Sequence, residues 1–211
     1  MNTVKSLASE LRPFKTTETL SVFLAKRFLP VLAAFVFLSF MMVNKKEILG
    51  IRWGEGMFLL KNTLWVTVAL ASFVAFYDSA FPQKARRLPG LVAMSALGVL
   101  LGLEFFQLNY GQLPAELHTE MDLLRGGCGV IISAMSIGYW WMLKNWAKQT
   151  APRSPGMTGL WASIAASTAG CVLMQAVCWQ EGTLHILLWH FLPLSLASYA
   201  GPLLAKKWLR W

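Results

Sequence analysis

The sequence predicts an all-α polytopic membrane protein, a six-helix transmembrane bundle with both termini in the cytoplasm. Of its 211 residues, 56% are apolar and only 14% are charged, and the mean hydropathy is +0.51. An ordinary soluble domain has about a quarter of charged residues. Six apolar runs approach the length that a helix needs to cross ~30 Å of hydrocarbon. No Gly-rich phosphate loop is present, so a soluble nuclease, kinase or dinucleotide-binding enzyme is not expected.

The six predicted spans follow one another along the chain. They are expected at residues 28–43, 57–77, 88–103, 126–143, 159–177 and 184–205. Lys61 is expected to snorkel towards the lipid headgroups from the start of the second span, and the third span is expected to stop at Glu104. Each run is continuous rather than alternating, and a backbone in lipid must satisfy its own hydrogen bonds. Helices are therefore predicted, and a β-barrel is excluded.

A polar segment of residues 1–26 precedes the bundle, which occupies residues 27–211. Apolar residues within residues 1–26 recur at i, i+3 and i+4 spacing and predict a short amphipathic helix. They are Val4, Leu7, Leu11 and Phe14. Such a stripe binds either the membrane surface or a groove of a partner protein. No small-residue cleavage site follows the first apolar run, so a removed signal peptide is not expected.

The positive charges predict the orientation, because Lys and Arg are retained on the cytoplasmic side of a membrane. Fourteen of the nineteen fall in one set of alternate segments and five in the other. The fourteen are Lys5, Arg12, Lys15, Lys26, Arg27, Lys84, Arg86, Arg87, Lys144, Lys148, Arg153, Lys206, Lys207 and Arg210; the five are Lys45, Lys46, Arg52, Lys61 and Arg125. Both termini are therefore expected in the cytoplasm. These charges form no continuous stripe, so direct binding to nucleic acid is not expected.

Two cysteines are the main candidates for chemistry. With this orientation Cys128 begins the fourth span and Cys178 ends the fifth, so both thiols are expected at the outer rim. Outside a bacterial inner membrane lies the oxidising periplasm. The same rim collects Glu181, His185 and, from the third loop, His118. Such side chains fit a zinc or heavy-metal ion, and two thiols also fit a redox role.

Two further candidates lie deeper in the predicted bundle. His190 is an ionisable residue inside a span and is therefore a candidate metal ligand, with hydrogen bonding to a carbonyl as the structural alternative. It lies five residues after His185, about 140° around an α-helix, so the two rings are not expected to share a face. Cys171 lies two helical turns below Cys178 and is expected to be a packing residue.

Several stretches of the chain carry a family resemblance. They are LASELRPF (Leu7 to Phe14), LLRGGCGVIISAM (Leu123 to Met135), GLWASIAASTAG (Gly159 to Gly170), CWQEGTLHILLWH (Cys178 to His190) and GPLLAKKWLRW (Gly201 to Trp211). In these stretches the chain resembles the NrsF family of bacterial anti-sigma factors. The resemblance implies a six-span inner-membrane protein that holds an extracytoplasmic-function (ECF) sigma factor inactive.

The resemblance also implies the roles of individual residues. In the family two periplasmic cysteines are implicated in sensing heavy metals or oxidants, and they correspond here to Cys128 and Cys178. The function is regulatory, so no catalytic residue and no required cofactor are expected, and a metal ion would be the signal. Contact with the sigma factor is expected along the apolar stripe of residues 4–14, because it is the one apolar stripe expected to be exposed on the cytoplasmic side.

Two other functions stay open from the sequence. A membrane redox protein would use the same thiols and histidines with a quinone or haem, and would need two axial ligands or an adjacent cysteine pair. A small transporter would place ionisable groups or a broken helix near the midplane, where His190 and Pro193 are the candidates. Neither requirement is clearly met, so the sequence favours the anti-sigma factor.

Overall fold

The fold is known from a computed structural model. It describes residues 18–43, 56–81, 87–110, 127–150, 152, 154–178 and 182–209. Several predicted site residues lie outside these ranges: Val4, Leu7, Leu11, Phe14, His118 and Glu181.

Every regular element of the described ranges is helical, which confirms the predicted all-α class. The helices are α1 (Leu20–Arg27), α2 (Leu29–Val43), α3 (Gly56–Ser79), α4 (Leu88–Tyr110), α5 (Gly127–Ala147), α6 (Pro155–Val177), α7 (Thr183–Ile186) and α8 (Leu192–Trp208), with a π-helical turn (Leu187–Phe191) between the last two.

Within the part of the chain that the structure describes, five helical segments are long and apolar enough to cross a membrane. They are Leu20–Leu38, Gly56–Ser79, Leu88–Gln107, Pro155–Gln175 and Thr183–Trp208. Helix α5 has 21 residues and packs against α6, but Gly, Ser and Trp lower its hydropathy and it is not among the five. Five candidate spans are thus found, and the sixth stays a prediction.

The outer surface of the bundle is apolar, as contact with lipid requires. Large apolar side chains on four different helices are more than half exposed: Phe37, Leu88, Val130, Ile137 and Leu196. Val130 and Ile137 belong to α5, so this helix presents the same kind of surface as the candidate spans.

The first helix begins earlier than the sequence predicted. Thr19 is its N-cap, with the side-chain oxygen accepting from the Val22 backbone N–H at 3.4 Å. The chain is helical from Leu20 rather than from residue 28, and a hydrogen bond from the Phe28 N–H to the Leu24 carbonyl joins α1 to α2. A threonine before an apolar run is a readable start signal, so the predicted boundary between segment and bundle divides a continuous helical stretch.

The third predicted span does not stop at Glu104. Helix α4 continues to Tyr110, because the Glu104 carboxylate is paired inside the bundle with the Lys61 ammonium of α3 at 2.7 Å. Lys61 therefore does not snorkel, since its side chain is only 11% exposed. The expected helix stop at Glu104 and the expected snorkelling of Lys61 are both wrong because the two charges pair with each other.

Helix α6 lies at the centre of the bundle. Of its most apolar window 83% is buried, and it contacts α2, α3, α5 and α8. Its seam with α8 is built from small residues. A Cβ added at Gly159 would lie 2.5 Å from the Gly201 carbonyl oxygen, and a Cβ at Gly201 would overlap the Ser163 side chain. The small residues let two backbones approach closely, as in other membrane helix pairs.

The two ends of the bundle differ in chemistry. At one end the Tyr77 hydroxyl of α3 donates to the Glu18 carbonyl at 2.8 Å, and Trp208 of α8 packs 5.2 Å from Trp140 of α5. We call it the basic end, since it collects these described cations: Lys26, Arg27, Arg87, Lys144, Lys148, Lys206 and Lys207. The opposite end, the cysteine end, carries Cys128 and Cys178.

At the basic end, aromatic rings surround two cations. The Arg27 guanidinium lies over the rings of Phe23 and Trp146 at 4.9 and 5.6 Å. The Lys144 ammonium lies 3.5 Å from the centre of the Trp141 ring and 4.2 Å from that of Trp208. Cation–π contacts of this kind allow a charge to lie among apolar side chains.

Replacing Tyr77 with Phe is expected to loosen the start of α1. The change removes the hydrogen bond to the Glu18 carbonyl, which costs about 0.5–1.5 kcal/mol when such a bond is partly buried. We expect a lower midpoint of thermal unfolding in detergent and faster tryptic cleavage after Lys26. The matched control is Tyr199→Phe, because Tyr199 is 76% exposed. Equal midpoints and cleavage rates in the two variants would contradict the anchoring role of Tyr77.

Candidate functional site

Four potential metal ligands meet at the cysteine end. Cys128 comes from the start of α5, Cys178 directly follows α6, His185 belongs to α7 and His190 to the π-helical turn. One ligand atom of each residue lies within 4.8 Å of the others. We call these four residues the Cys/His cluster. Both histidines and Cys178 are buried, and Cys128 is half-buried.

The two thiols at the centre of the cluster are in direct contact. The Sγ atoms of Cys128 and Cys178 lie 3.4 Å apart, and no disulfide bond joins them. The Cys178 sulfur also lies 3.5 Å from Nε2 of His185. Two residues fifty positions apart in the sequence are thus close enough to bind one ion together.

A glycine allows α5 to reach this position. Gly129 follows Cys128, and a Cβ at this position would lie 2.9 Å from Cε3 of Trp189 and 3.3 Å from its carbonyl oxygen. Helix α5 therefore approaches the π-helical turn at a distance that a larger residue would not permit. The contact holds the Cys128 end of α5 beside the two histidines.

The prediction that His185 and His190 do not share a face is wrong. Their ring centroids lie 5.7 Å apart in an edge-to-face arrangement. An α-helix would separate the two rings, but the chain forms a π-helical turn at Leu187–Phe191. Its hydrogen bonds connect residues five apart, so a five-residue step brings side chains to one side.

A proline accounts for the irregular turn. Pro193 has no N–H, so the bond that an α-helix would make to the Trp189 carbonyl is missing. Cys171 of α6 packs below the turn, with its sulfur 3.6 Å from the His190 carbonyl oxygen, and is fully buried. Cys171 thus lies against the backbone of the turn rather than among the four ligand atoms.

The surroundings of Cys178 favour its thiolate. The hydrogen bond with Cys128 is the largest influence and lowers the pKa of Cys178, burial acts in the opposite direction, and His185 and His190 lower it further. The thiolate is the form of cysteine that binds metals and reacts with oxidants. Two sulfur and two nitrogen ligands suit a tetrahedral soft or borderline divalent ion.

Sequence reasoning missed a polar group beside the cluster. Lys61 of α3 donates to the side-chain oxygen of Gln107 at 2.7 Å and pairs with Glu104. The available signal was an acidic residue inside an otherwise apolar helix, which is a functional candidate by default. Among the predicted ligands, Cys128, Cys178, His185 and His190 are brought together, while His118 and Glu181 lie outside the described residues.

The family of this chain follows from a match to a protein-family model. The model of the NrsF family, described as negative regulator of sigma F, matches residues 7–211. The chain belongs to the NrsF family. No curated protein and no solved structure matches it. The NrsF match includes all four residues of the Cys/His cluster and the predicted contact residues Leu7, Leu11 and Phe14.

The NrsF relationship supplies the coarse function. The family is named for negative regulation of a sigma factor, which makes a sigma factor the partner that the name implies. The name describes a regulator rather than an enzyme. The described residues also contain several helices long and apolar enough to cross a membrane, which is consistent with a membrane protein.

Proposed function

We propose that this protein is an integral inner-membrane anti-sigma factor that sequesters an ECF sigma factor in the cytoplasm. A periplasmic metal ion or oxidant acting on Cys128 and Cys178 releases the sigma factor. The observation that carries the proposal is the contact of the two thiols with two imidazoles at the end of the bundle away from the N-terminal segment.

The charge distribution supports the orientation. The basic end carries seven described cations, and at the cysteine end the described cation is Lys61, which is paired with Glu104. Positive side chains remain on the cytoplasmic side. The basic end then faces the cytoplasm together with both termini, and the Cys/His cluster faces the periplasm. This arrangement includes α5 as a sixth span.

The N-terminal segment is the proposed contact for the sigma factor. Its apolar stripe, Val4 to Phe14, fits a helix that binds in a groove of a partner protein. Tyr77 and the ion pairs of Glu18 with Lys26 and Arg27 hold the next residues against the bundle. A movement of α3 or α1 therefore changes the position from which the segment extends.

The signal acts by joining α5 and α6 at one end. A divalent ion bound by both thiolates links Cys128 to Cys178 and releases the thiol protons. Oxidation instead forms an S–S bond of about 2.05 Å, with two electrons and two protons passing to a periplasmic oxidant. No resident cofactor is required. An ion that binds one of two conformations of the bundle more tightly than the other by about 5.5 kcal/mol changes their ratio from 1:99 to 99:1. Structural metal sites reach binding energies of this size.

The first experiment is purification of the tagged protein from its native membrane with identification of bound proteins. We expect full-length protein to retain a sigma factor, and protein starting at Glu18 behind a new Met to lose it. This truncation leaves the Thr19 cap and the Glu18 ion pairs in place.

A matched pair of point variants separates the stripe from the rest of the segment. Leu11→Asp is expected to release the sigma factor, whereas Ser9→Asp adds the same charge away from the stripe and is expected to retain it. Retention by the truncated protein would contradict the contact site. Absence of any sigma factor from the full-length sample of unstressed cells would contradict the anti-sigma function.

The same purified sample tests the alternative functions. A haem or quinone absorption band that persists through purification would support a membrane redox protein. Uptake of a solute into vesicles containing the protein would support a transporter. Under the proposed function neither signal is expected.

A further inference from the structure

A fully buried carboxylate lies inside helix α4. The Glu104 side chain is 1% exposed, and Oε1 lies 2.7 Å from the Lys61 ammonium. Lys61 also donates to Gln107 at 2.7 Å, and Gln107 lies three residues beyond Glu104 on α4. Charged side chains within membrane-spanning helices are costly and usually serve a function. The proposed sensing step does not use this group.

The helix that carries this carboxylate packs against a helix that carries part of the Cys/His cluster. Helix α4 contacts α7, which carries His185, and the Glu104 carboxylate interacts electrostatically with His190. Within the described residues, Oε2 of Glu104 and both ring nitrogens of His190 are buried without a hydrogen bond. A buried carboxylate oxygen and a buried imidazole, each without a hydrogen bond there, are therefore near enough to interact electrostatically.

Metal chemistry gives these groups complementary roles. A histidine that binds a metal through one ring nitrogen usually donates its other N–H to a carboxylate or carbonyl, which fixes the ring. One ring nitrogen of His190 lies in the cluster, and a buried N–H left unpaired is destabilising. Within the described residues, Glu104 is the carboxylate that is both buried and in electrostatic contact with His190.

The charges also balance. Two thiolates neutralise one divalent cation, and Lys61 neutralises Glu104. The carboxylate can therefore approach the site without adding net charge to a region where unpaired charge is costly.

We propose that Glu104 is a positioning residue for a soft or borderline divalent cation at the Cys/His cluster. It accepts the N–H of the His190 nitrogen that does not bind the ion, while Lys61 holds the carboxylate in place. This inference rests on the proposed metal binding by Cys128 and Cys178. It adds α3 and α4 to the elements that respond to the ion.

The test is a titration of the full-length protein in lipid nanodiscs with Cd²⁺. Binding is monitored by the thiolate-to-metal charge-transfer absorption. We expect Glu104→Gln to weaken binding about 10–100-fold, the usual effect of removing such a partner. The number of ions bound and the thiolate absorption should be unchanged. The matched control is Gln107→Leu, which removes the other acceptor of Lys61 and is expected to bind Cd²⁺ like the wild type.

A second measurement separates positioning from general stability. In wild-type protein with ¹⁵N-labelled histidine and Cd²⁺, the His190 ring is expected to hold one tautomer with a slowly exchanging N–H. Loss of that signature is expected in Glu104→Gln and not in Gln107→Leu. The wild-type spectrum is informative even where the Gln variant fails to fold, because a rapidly exchanging His190 N–H would overturn the assignment.

The outcomes distinguish this inference from the proposed function. Glu104→Gln binding Cd²⁺ as tightly as wild type, while Cys128→Ser loses binding, would overturn the role of Glu104 and leave the metal site intact. Failure of the wild-type protein itself to bind Cd²⁺ would overturn both.

Discussion

A Cys128→Ser, Cys178→Ser double variant is expected to keep the sigma factor bound in the presence of every inducer. The two sulfur atoms, 3.4 Å apart, are the proposed ligands that would join α5 to the end of α6, and serine hydroxyls neither bind soft metals well nor form a disulfide. A reporter gene read by the sigma factor should give equal signals with and without Cd²⁺ or oxidant. Co-purification of the sigma factor from unstressed cells should remain at the wild-type level.

The control for this experiment is Cys171→Ala. Cys171 is fully buried and lies against the His190 carbonyl, outside the set of ligand atoms. This variant also removes a thiol from the bundle but is expected to keep the response to Cd²⁺. A normal response in the double cysteine variant would refute sensing at these thiols.

Gly201→Ala is expected to destabilise the bundle strongly. The added Cβ would overlap the Ser163 side chain and lie 2.7 Å from the Gly159 carbonyl oxygen. Part of this obstruction is backbone, so α6 and α8 must move apart. Inserting methyl groups into a packed core costs about 1–3 kcal/mol. A lower midpoint of thermal unfolding in detergent measures the effect.

The matched control is Gly138→Ala on α5. Gly138 is also inside a helix, and an added Cβ there would meet no atom within 4 Å. Alanine is favoured over glycine in a helix by roughly 0.5–1 kcal/mol, so this variant should be as stable as the wild type or slightly more so. Similar midpoints for the two variants would show that the α6–α8 seam is not tightly packed.

Hydropathy predicted the helical class because lipid leaves a backbone few alternatives. The neighbourhood of Cys128 and Cys178 followed from alternating helix direction, which requires no knowledge of side-chain packing. The same logic places the start of α3 beside the end of α4, and so Lys61 beside Glu104. Their pairing was missed because each was interpreted alone, one as a snorkelling cation and the other as a helix stop.

The position of the histidines could not be predicted from periodicity. The 140° separation of His185 and His190 assumes an α-helix, and the π-helical turn breaks that assumption. Its formation depends on Pro193 and on packing of Trp189 against Gly129, a contact between helices distant in sequence. The earlier start of the first helix was readable, because Thr19 is a regular capping residue.

The central position of α6 has a mechanical consequence. With 23 residues at 1.5 Å each, this helix is about 35 Å long. Cys178 follows one end of it, and the other end lies at the basic end of the bundle. Pivoting about its midpoint, α6 would need to tilt by only about 3° to displace each end by roughly 1 Å. A change in sulfur–sulfur separation of that order would therefore be converted into a displacement of similar size at the basic end of the bundle, without any helix unfolding.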